Sequence, residues 1–294
     1  MNKRASHRVA SEFALEALTY SAGTLADAYR CVQAGSGDPV EAVHDLRVAI
    51  RRVRADLRIF AKVFDGAWLD ATQRQLRDLG RVVGEARDLD VIGSRLEQLA
   101  ETLPEADRPG AARLLSGLQL DRGVAFERTC DALDSGGRAS IVGDLVAISV
   151  RSPLAHAAGE VAIGDLVAAT RHQWQRLRKS ARAAKAAPTA ENLHKVRVRA
   201  KTLRYSLDTL EPVLHRSARA HAKVLVELQD HLGKMQDAVV IERWLRSARA
   251  ADPSIEFVVG EFIGLERARK ESARSTWRDE WRRVSRKRLR RWAR

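Results

Sequence analysis

HDLRVAIRRVR, at residues 44–54, carries a histidine and arginines at spacings of three and four residues. With the arginine that follows four residues later, the series consists of His44, Arg47, Arg51, Arg54 and Arg58. Residues at these spacings lie on one face of an α-helix. The segment therefore predicts a helix with a continuous cationic face, called here the first ribbon. At about 1.5 Å per residue, this face extends roughly 21 Å.

A shorter copy of the pattern stands 150 positions later, in HKVRVRAKTLRY at residues 194–205. Its cationic positions, called the second ribbon, are His194, Arg197, Lys201 and Arg204. Farther along, residues 76–92 align with residues 225–241 at an offset of 149, matching Gly84 to Gly233 and Asp88 to Asp237. Two elements that recur in the same order indicate internal duplication. We expect two halves, residues 5–150 and residues 153–294.

Apolar residues make a second stripe on each of these helices, one residue before the basic stripe. They are Val43, Leu46, Ile50, Val53, Leu57 and Phe60 in the first copy, and Leu193, Val196, Ala200, Leu203, Leu207 and Leu210 in the second. The two stripes on each helix lie about 100° apart around the axis. One side of each helix is thus predicted to face a core and the neighbouring side to carry charge.

Helical periodicity runs through the rest of the chain, and Gly and Pro clusters interrupt it at regular intervals. The clusters fall at 35–39, 65–66, 104–110, 134–137, 152–153, 186–188, 211–212 and 250–253. Asp38 before Pro39 is a strong helix start, and Thr189 or Asn192 could cap the second ribbon helix. The predicted fold is all-α, with two helical bundles related by a pseudo-twofold axis and the ribbons facing each other across a central basic groove.

The composition favours a polyanionic partner, because Lys and Arg number 52 against 38 Asp and Glu, a formal charge of +14. Cys31 and Cys130 lack the spacing of a disulfide scaffold or zinc site. The N-terminus shows no secretion signal, and the most apolar segment, 141–150, is too short to span a bilayer. We expect a cytoplasmic protein without a metal or cofactor.

The two ribbon segments resemble the duplicated His-x-x-Arg-x-x-x-Arg/Lys-x-x-Arg helix of the CHAD family, the conserved-histidine α-helical domain. The segments at 86–88 and 228–237 resemble the stretch that follows each such helix. The resemblance covers most of the chain and implies a single domain of two helical bundles with a basic channel that binds inorganic polyphosphate. It also implies association with polyphosphate granules and no catalysis. The residues that it assigns to binding are His44, Arg47, Arg51, Arg54, His194, Arg197, Lys201 and Arg204.

Physical chemistry favours the same ligand, because Arg offers a planar pair of donors to phosphate and Lys a point charge. Crowding by arginines is expected to keep His44 and His194 unprotonated until phosphate arrives, so binding should strengthen as pH falls. An ordinary solvated helix face is the alternative for either ribbon taken singly.

Several other residues have two interpretations from sequence. Arg87, Asp88 and Asp237 either orient the ribbon arginines or form interhelical salt bridges. Arg176, Lys179 and Arg182 either line the same groove as auxiliary cations or lie in solvent. The basic tail from residue 278 to 294 carries nine Arg and Lys residues and, with its tryptophans, could bind single-stranded nucleic acid or an anionic surface. We favour a final amphipathic helix whose tryptophans, Trp277, Trp281 and Trp292, pack on the second bundle, followed by a frayed end. Its arginines are expected to give auxiliary contacts to a polyanion.

Two other functions compete with polyphosphate binding. The first is nucleic-acid binding, since the same charge attracts DNA or RNA, but no helix-turn-helix or RNA-binding signature is present. The second is a phosphohydrolase, which would need carboxylates that hold Mg²⁺ or an activated nucleophile. The acidic residues form no persuasive metal cluster in the sequence. The oligomeric state is open.

Overall fold

The computed structural model describes residues 10–135, 137–151 and 153–293. The first residues of the predicted N-terminal half and the last residue of the basic tail lie outside this range. The described residues form ten α-helices: α1 (Ala10–Gln33), α2 (Pro39–Ile59), α3 (Gly66–Ala100), α4 (Arg108–Asp134), α5 (Arg138–Val146), α6 (Ile148–Arg151), α7 (Ile163–Ala186), α8 (Ala190–Thr209), α9 (Ser217–Ala251) and α10 (Glu256–Val284). A 3₁₀ segment, Lys287–Ala293, ends the fold.

The prediction of an all-α fold is confirmed. In the described ranges the only β feature is an isolated bridge between Phe64 and Leu154. The breaks between successive α-helices fall at or near the predicted Gly and Pro clusters, except the break at Ala147 between α5 and α6, which no cluster predicted. Gly35 and Gly37 adopt the positive φ angles of 58° and 80° that favour glycine. In the same part of the chain, every helix is too short or too polar to span a bilayer.

The ribbon helices begin where their capping residues predict. Asp38 accepts a hydrogen bond from the backbone N of Val40 at 2.9 Å, with Pro39 at the first helical position of α2. Of the two candidates for α8, Thr189 is the cap, because its Oγ1 accepts from the backbone N of Asn192 at 3.2 Å. Both caps satisfy donors that the first helical turn leaves unpaired.

Both predicted apolar stripes are buried, each of their twelve residues being at most 1% exposed. The stripe of α2 packs with α1, the first part of α3 and α5 in one core cluster. The stripe of α8, except Leu210, packs in a second cluster with α7, the first part of α9 and the end of α10. Leu210 joins the first cluster, as does Leu166 of α7. Each ribbon helix therefore packs in a different core cluster, and the first cluster takes residues from both halves.

A third core cluster joins the two halves and is called here the shared cluster. It contains Leu96 of α3 and Leu114 of α4 from the N-terminal half, with Leu245 of α9 and Phe262 of α10 from the C-terminal half. These four side chains are at most 2% exposed. The ends of four long helices thus close on one another, which fixes the two halves in a single body.

The order of helix lengths repeats between the halves. Helices α1 to α4 have 24, 21, 35 and 27 residues, and helices α7 to α10 have 24, 20, 35 and 29. The repeated lengths agree with the internal duplication inferred from sequence. The pseudo-twofold relation between the halves stays a prediction.

The two ribbon helices contact each other directly. Thr209 Oγ1, at the end of α8, donates to Asp56 Oδ1 of α2 at 2.5 Å, and Arg52 Nε lies 3.3 Å from the other oxygen of the same carboxylate. Asp56 is only 1% exposed. This buried contact holds the ends of α2 and α8 together, beside the cationic faces.

Candidate anion-binding site

The centre of the site is a group of cations drawn from both ribbons. Lys201 of α8 is repelled by Arg197 and Arg204 of its own helix and by Arg47 and Arg51 of α2. Burial, followed by these four charges, lowers the pKa of Lys201 to about 7. The structure therefore brings residues from segments 150 positions apart to one place and crowds their positive charges.

Several arginines of this group have donor atoms that nothing in the protein satisfies. The Nε atoms of Arg51, Arg54, Arg197 and Arg204 are buried and have no hydrogen-bond partner. Burial lowers the pKa of Arg51 and Arg54, but a guanidinium remains charged at neutral pH. Buried donors without partners are costly, so the arrangement favours a ligand rich in acceptor oxygens.

The second position of each ribbon lies against a glycine of the following long helix. A guanidinium nitrogen of Arg47 lies 2.6 Å from where a Cβ on Gly84 of α3 would be, so this approach requires glycine. Nε and Nη2 of Arg197 lie 3.6 Å from where a Cβ on Gly233 of α9 would be, which is an ordinary contact distance. The paired glycines of the repeat thus adjoin paired arginines, and only Gly84 is required by the close approach.

Carboxylates accompany these two arginines, as the sequence suggested. Arg47 Nη2 lies 3.6 Å from Asp88 Oδ1, and Arg197 lowers the pKa of Asp237, although burial raises it overall. Asp88 in turn raises the pKa of Asp237, so the two carboxylates from different halves lie near each other. Asp88 thus forms the interhelical ion pair that one interpretation of the sequence gave it. That these carboxylates orient the arginines for binding stays a prediction.

The first ribbon continues beyond the centre at both ends. At one end His44 lies near Arg87, and burial followed by this arginine lowers the pKa of the imidazole, in the direction expected from sequence. At the other end Arg54 and Arg58 lie near Arg77, which also lowers their pKa after burial. Arg87 therefore lies close to the first ribbon, and its part in binding stays a prediction.

The remaining predicted residues lie away from this centre. His194 is exposed and lines a small cavity of about 30 Å³ with Arg197 and Lys270. The three auxiliary cations on α7 are exposed: Arg176, Lys179 and Arg182. Helix α7 contacts α8 through Gln173, which accepts from Ser206 at 2.7 Å, on a different side of α8 from the second ribbon.

Sequence reasoning missed two cations, Arg77 and Lys270. Arg77 has a detectable signal, because it lies seven and eleven residues before Gly84 and Asp88 and so shares their face of α3. Lys270 lies on α10, outside both repeated segments, and has no such signal. Its place beside His194 follows from tertiary packing alone.

Tyr205 is the candidate stacking residue beside the ribbons in the described structure, and another side chain covers its ring. Tyr205 is 7% exposed, and the guanidinium of Arg204 lies over its ring at 4.3 Å. The ring therefore offers no free face to a nucleobase. In the described ranges no group of three or more His, Cys, Asp or Glu side chains could hold a metal ion.

Comparison with known proteins agrees with this architecture. The family model of the CHAD domain matches residues 16–246. Two uncharacterized Mycobacterium tuberculosis proteins, MT2285 and Rv2226 from two strains, are 32% identical over 264 residues, which is 85% of this chain. The chain spans about half the length of these curated relatives, 47% of each.

Two solved structures resemble the chain over nearly its whole length. The crystal structure of the CHAD domain from the plant Ricinus communis has a TM-score of 0.76 and 25% identity, covering 95% of this chain and 92% of that one. PptA from Streptomyces chartreusis shares the fold, with a TM-score of 0.71 and 20% identity over 92% of this chain and 99% of that one. With both ribbons and the family model in agreement, the chain belongs to the CHAD family.

Proposed function

We propose that this chain binds inorganic polyphosphate between its two ribbons without catalysing a reaction on it. The observation that carries the proposal is the crowding of Arg47, Arg51, Arg197 and Arg204 around Lys201. Bringing like charges together in a partly buried place costs free energy, which a bound polyanion offsets. Asp88 and Asp208 pair with Arg47 and Arg204 at 3.6 and 3.4 Å and offset only part of this positive charge, and a bound polyanion would offset the rest.

The shape of the site supports a linear polymer over a compact anion. The first ribbon extends roughly 21 Å along α2, and cations from His44 at one end to Arg58 at the other follow this helix. Consecutive phosphates of a chain can each meet a cation along such a path. Binding of this kind would also recruit the whole protein to polyphosphate granules in the cell.

Polyphosphate is favoured over nucleic acid because the site offers charge without stacking. Proteins that hold single strands without sequence preference combine a basic groove with aromatic faces for the bases. The aromatic side chain beside the ribbons, Tyr205, is buried and covered by Arg204. A ligand without bases loses nothing by this arrangement.

Competition should separate the two ligands. Fluorescently labelled long-chain polyphosphate is bound to the purified protein, and unlabelled polyphosphate, single-stranded DNA or RNA is added at equal phosphate concentration and fixed salt. We expect polyphosphate to displace the label at least about ten times more effectively, since the nucleic acids gain no stacking. Equal displacement by DNA or RNA would overturn the proposal, and release of phosphate with Mg²⁺ present would contradict binding without catalysis.

Binding should also depend on pH through Lys201. Its pKa of about 7 leaves the amine mostly neutral at pH 8.5, whereas bound phosphate favours the charged form. Affinity should therefore fall by up to about tenfold between pH 6.5 and 8.5, with uptake of a proton on binding at the higher pH. Calorimetric titration in buffers of different ionisation enthalpy measures both quantities.

Lys201→Arg is the control for this pH dependence. Arginine keeps its charge over the whole range, so the variant should show a flatter pH profile above pH 7. His44, whose pKa is lowered, contributes only on the acidic side. An unchanged pH profile in Lys201→Arg would contradict the role given to Lys201.

A further inference from the structure

A second basic cavity lies between α7 and the C-terminal 3₁₀ segment, away from the ribbons. Its volume is about 370 Å³, and four cations line it, with Trp174, Gln175 and Ala293: Arg171, Arg178, Lys287 and Arg290. Neither a carboxylate nor a ribbon residue is among the described residues that line it. The cavity is therefore a concentration of positive charge separate from the first site.

The wall that the C-terminal segment supplies is fixed by buried contacts. Trp292 is 3% exposed, and its Nε1 donates to Nδ1 of His221 at 3.0 Å, while its backbone N donates to Ser217 Oγ at 3.0 Å. Burial lowers the pKa of His221 to about 4, so the imidazole is a neutral acceptor at physiological pH. The cations of the segment are thus presented from a packed element.

One cation of this wall points to an absent ligand. The guanidinium of Arg290 lies 5.7 Å from the centre of the Trp174 ring, and its Nε is buried without a hydrogen-bond partner. Arg178, Lys287 and Arg290 meet in a cavity whose described lining includes no acid, so their charges repel one another. An anion in the cavity would satisfy the donor and offset the repulsion.

Size and chemistry narrow the class of anion. The cavity has room for roughly a dozen waters at about 30 Å³ each, more than one phosphate needs. Trp174 is 5% exposed, stacks on Trp281 with ring centres 5.8 Å apart and lies under Arg290, so it has no free face for a nucleobase. The contents of the cavity are therefore expected to be several phosphate groups without a base.

We propose that this cavity is a second anion-binding site, which takes a compact oligophosphate, either free or as the end of a longer chain. This second site goes beyond the proposed function, because no ribbon residue lines the cavity. Arg178 and Lys287, one from each wall, hold the ligand with Arg171 and Arg290. The protein would then have a groove for the length of a polymer and a separate cavity for a short phosphate chain.

Calorimetric titration with tripolyphosphate tests the proposal on the full chain. To silence the groove, the titration is made on the ribbon variant Arg51→Ala/Lys201→Ala as well as on the unmodified protein. We expect a site of one-to-one stoichiometry in both. Adding Arg178→Ala/Lys287→Ala should weaken it by about tenfold or more, because two charge-assisted contacts are lost. Lys179→Ala/Arg288→Ala, which removes two exposed cations of the same two elements, should leave it within about twofold.

Three outcomes would overturn the proposal. Tripolyphosphate binding that disappears in the ribbon variant but survives Arg178→Ala/Lys287→Ala would assign the ligand to the groove. Equal weakening in the Lys179→Ala/Arg288→Ala control would show that the loss of affinity comes only from the change in net charge. Tighter binding of ATP than of tripolyphosphate would show that the cavity binds a nucleotide instead. A titration of long-chain polyphosphate into Arg178→Ala/Lys287→Ala shows whether the cavity takes a free oligophosphate or the end of a polymer. A loss of affinity would show that the cavity holds the end of a polymer. Unchanged affinity would show that it holds a free oligophosphate.

Discussion

Replacing Arg51 and Lys201 together by alanine should weaken the binding of long-chain polyphosphate by about 100-fold. The two side chains come one from each ribbon and repel each other at the centre of the site. Each contact to phosphate is worth about 1.5–3 kcal/mol, and 1.4 kcal/mol is tenfold in affinity. A titration followed by fluorescence anisotropy measures the loss, and the decline of affinity with salt should become less steep by about two phosphate contacts.

The matched control for this variant is Arg128→Ala/Arg199→Ala, which removes the same formal charge from exposed positions on α4 and α8. This control should change the affinity for polyphosphate by less than about threefold, because dissolved salt screens the attraction between exposed charges and a distant ligand. The ribbon variant should unfold at the same temperature as the unmodified protein or higher, since its ligand-free state loses a repulsion. An equal loss of affinity in both variants would contradict specific binding of polyphosphate between the ribbons. A lower unfolding temperature of the ribbon variant would show that Arg51 and Lys201 stabilise the fold.

Replacing Asp56 by alanine should lower the free energy of unfolding by about 3 kcal/mol. The carboxylate is 1% exposed, accepts from Thr209 and pairs with Arg52, so its removal leaves the buried Thr209 hydroxyl and the partly exposed Arg52 guanidinium without their partner. Denaturation with urea, followed by circular dichroism, measures the change. Asp70→Ala, which removes an exposed carboxylate of α3, should change stability by less than about 0.5 kcal/mol.

A double-mutant cycle isolates the contact between the ribbon helices. Asp56→Ala and Thr209→Val are made singly and together, and the coupling between them should be about 1.5–3 kcal/mol, as for a hydrogen bond to a charged group. Because this contact sets α2 beside α8, the double variant should also bind polyphosphate less tightly. Additive effects on stability would show that Thr209 does not hold the carboxylate.

The helices were predictable because local signals agree with the final packing. The stripe from Val43 to Phe60 is apolar at helical spacing and fully buried, and Asp38 with Pro39 starts α2 where the chain must turn. The exposed cationic positions recur at the same helical spacing in both copies of the repeat, so the two ribbons could also be predicted. Signals of this kind specify the structure of one helix at a time.

Contacts across the chain were not predictable in the same way. The sequence shows Lys201 as one more cation, and only the approach of Arg47 and Arg51 from the other half makes its pKa unusual. The cavity behind α7 depends on Trp292 meeting His221 across 71 residues, a pairing that no periodic pattern encodes. Sequence reasoning predicted burial for the tail tryptophans, and Trp277, Trp281 and Trp292 are at most 6% exposed. They pack in the second core cluster, as predicted, but the cavity that the tail forms with α7 was not predicted.

The shared cluster has a consequence for any chain built from one half alone. A fragment that ended near residue 150 would keep most of its first core, losing Leu166 and Leu210 among others. It would also present Leu96 and Leu114 to water, since Leu245 and Phe262 would be missing. An apolar face of this kind drives association, and two copies of one fragment carry the same face. We therefore expect a half-length fragment of this chain to associate with a second copy of itself, whereas the full chain covers the same face internally.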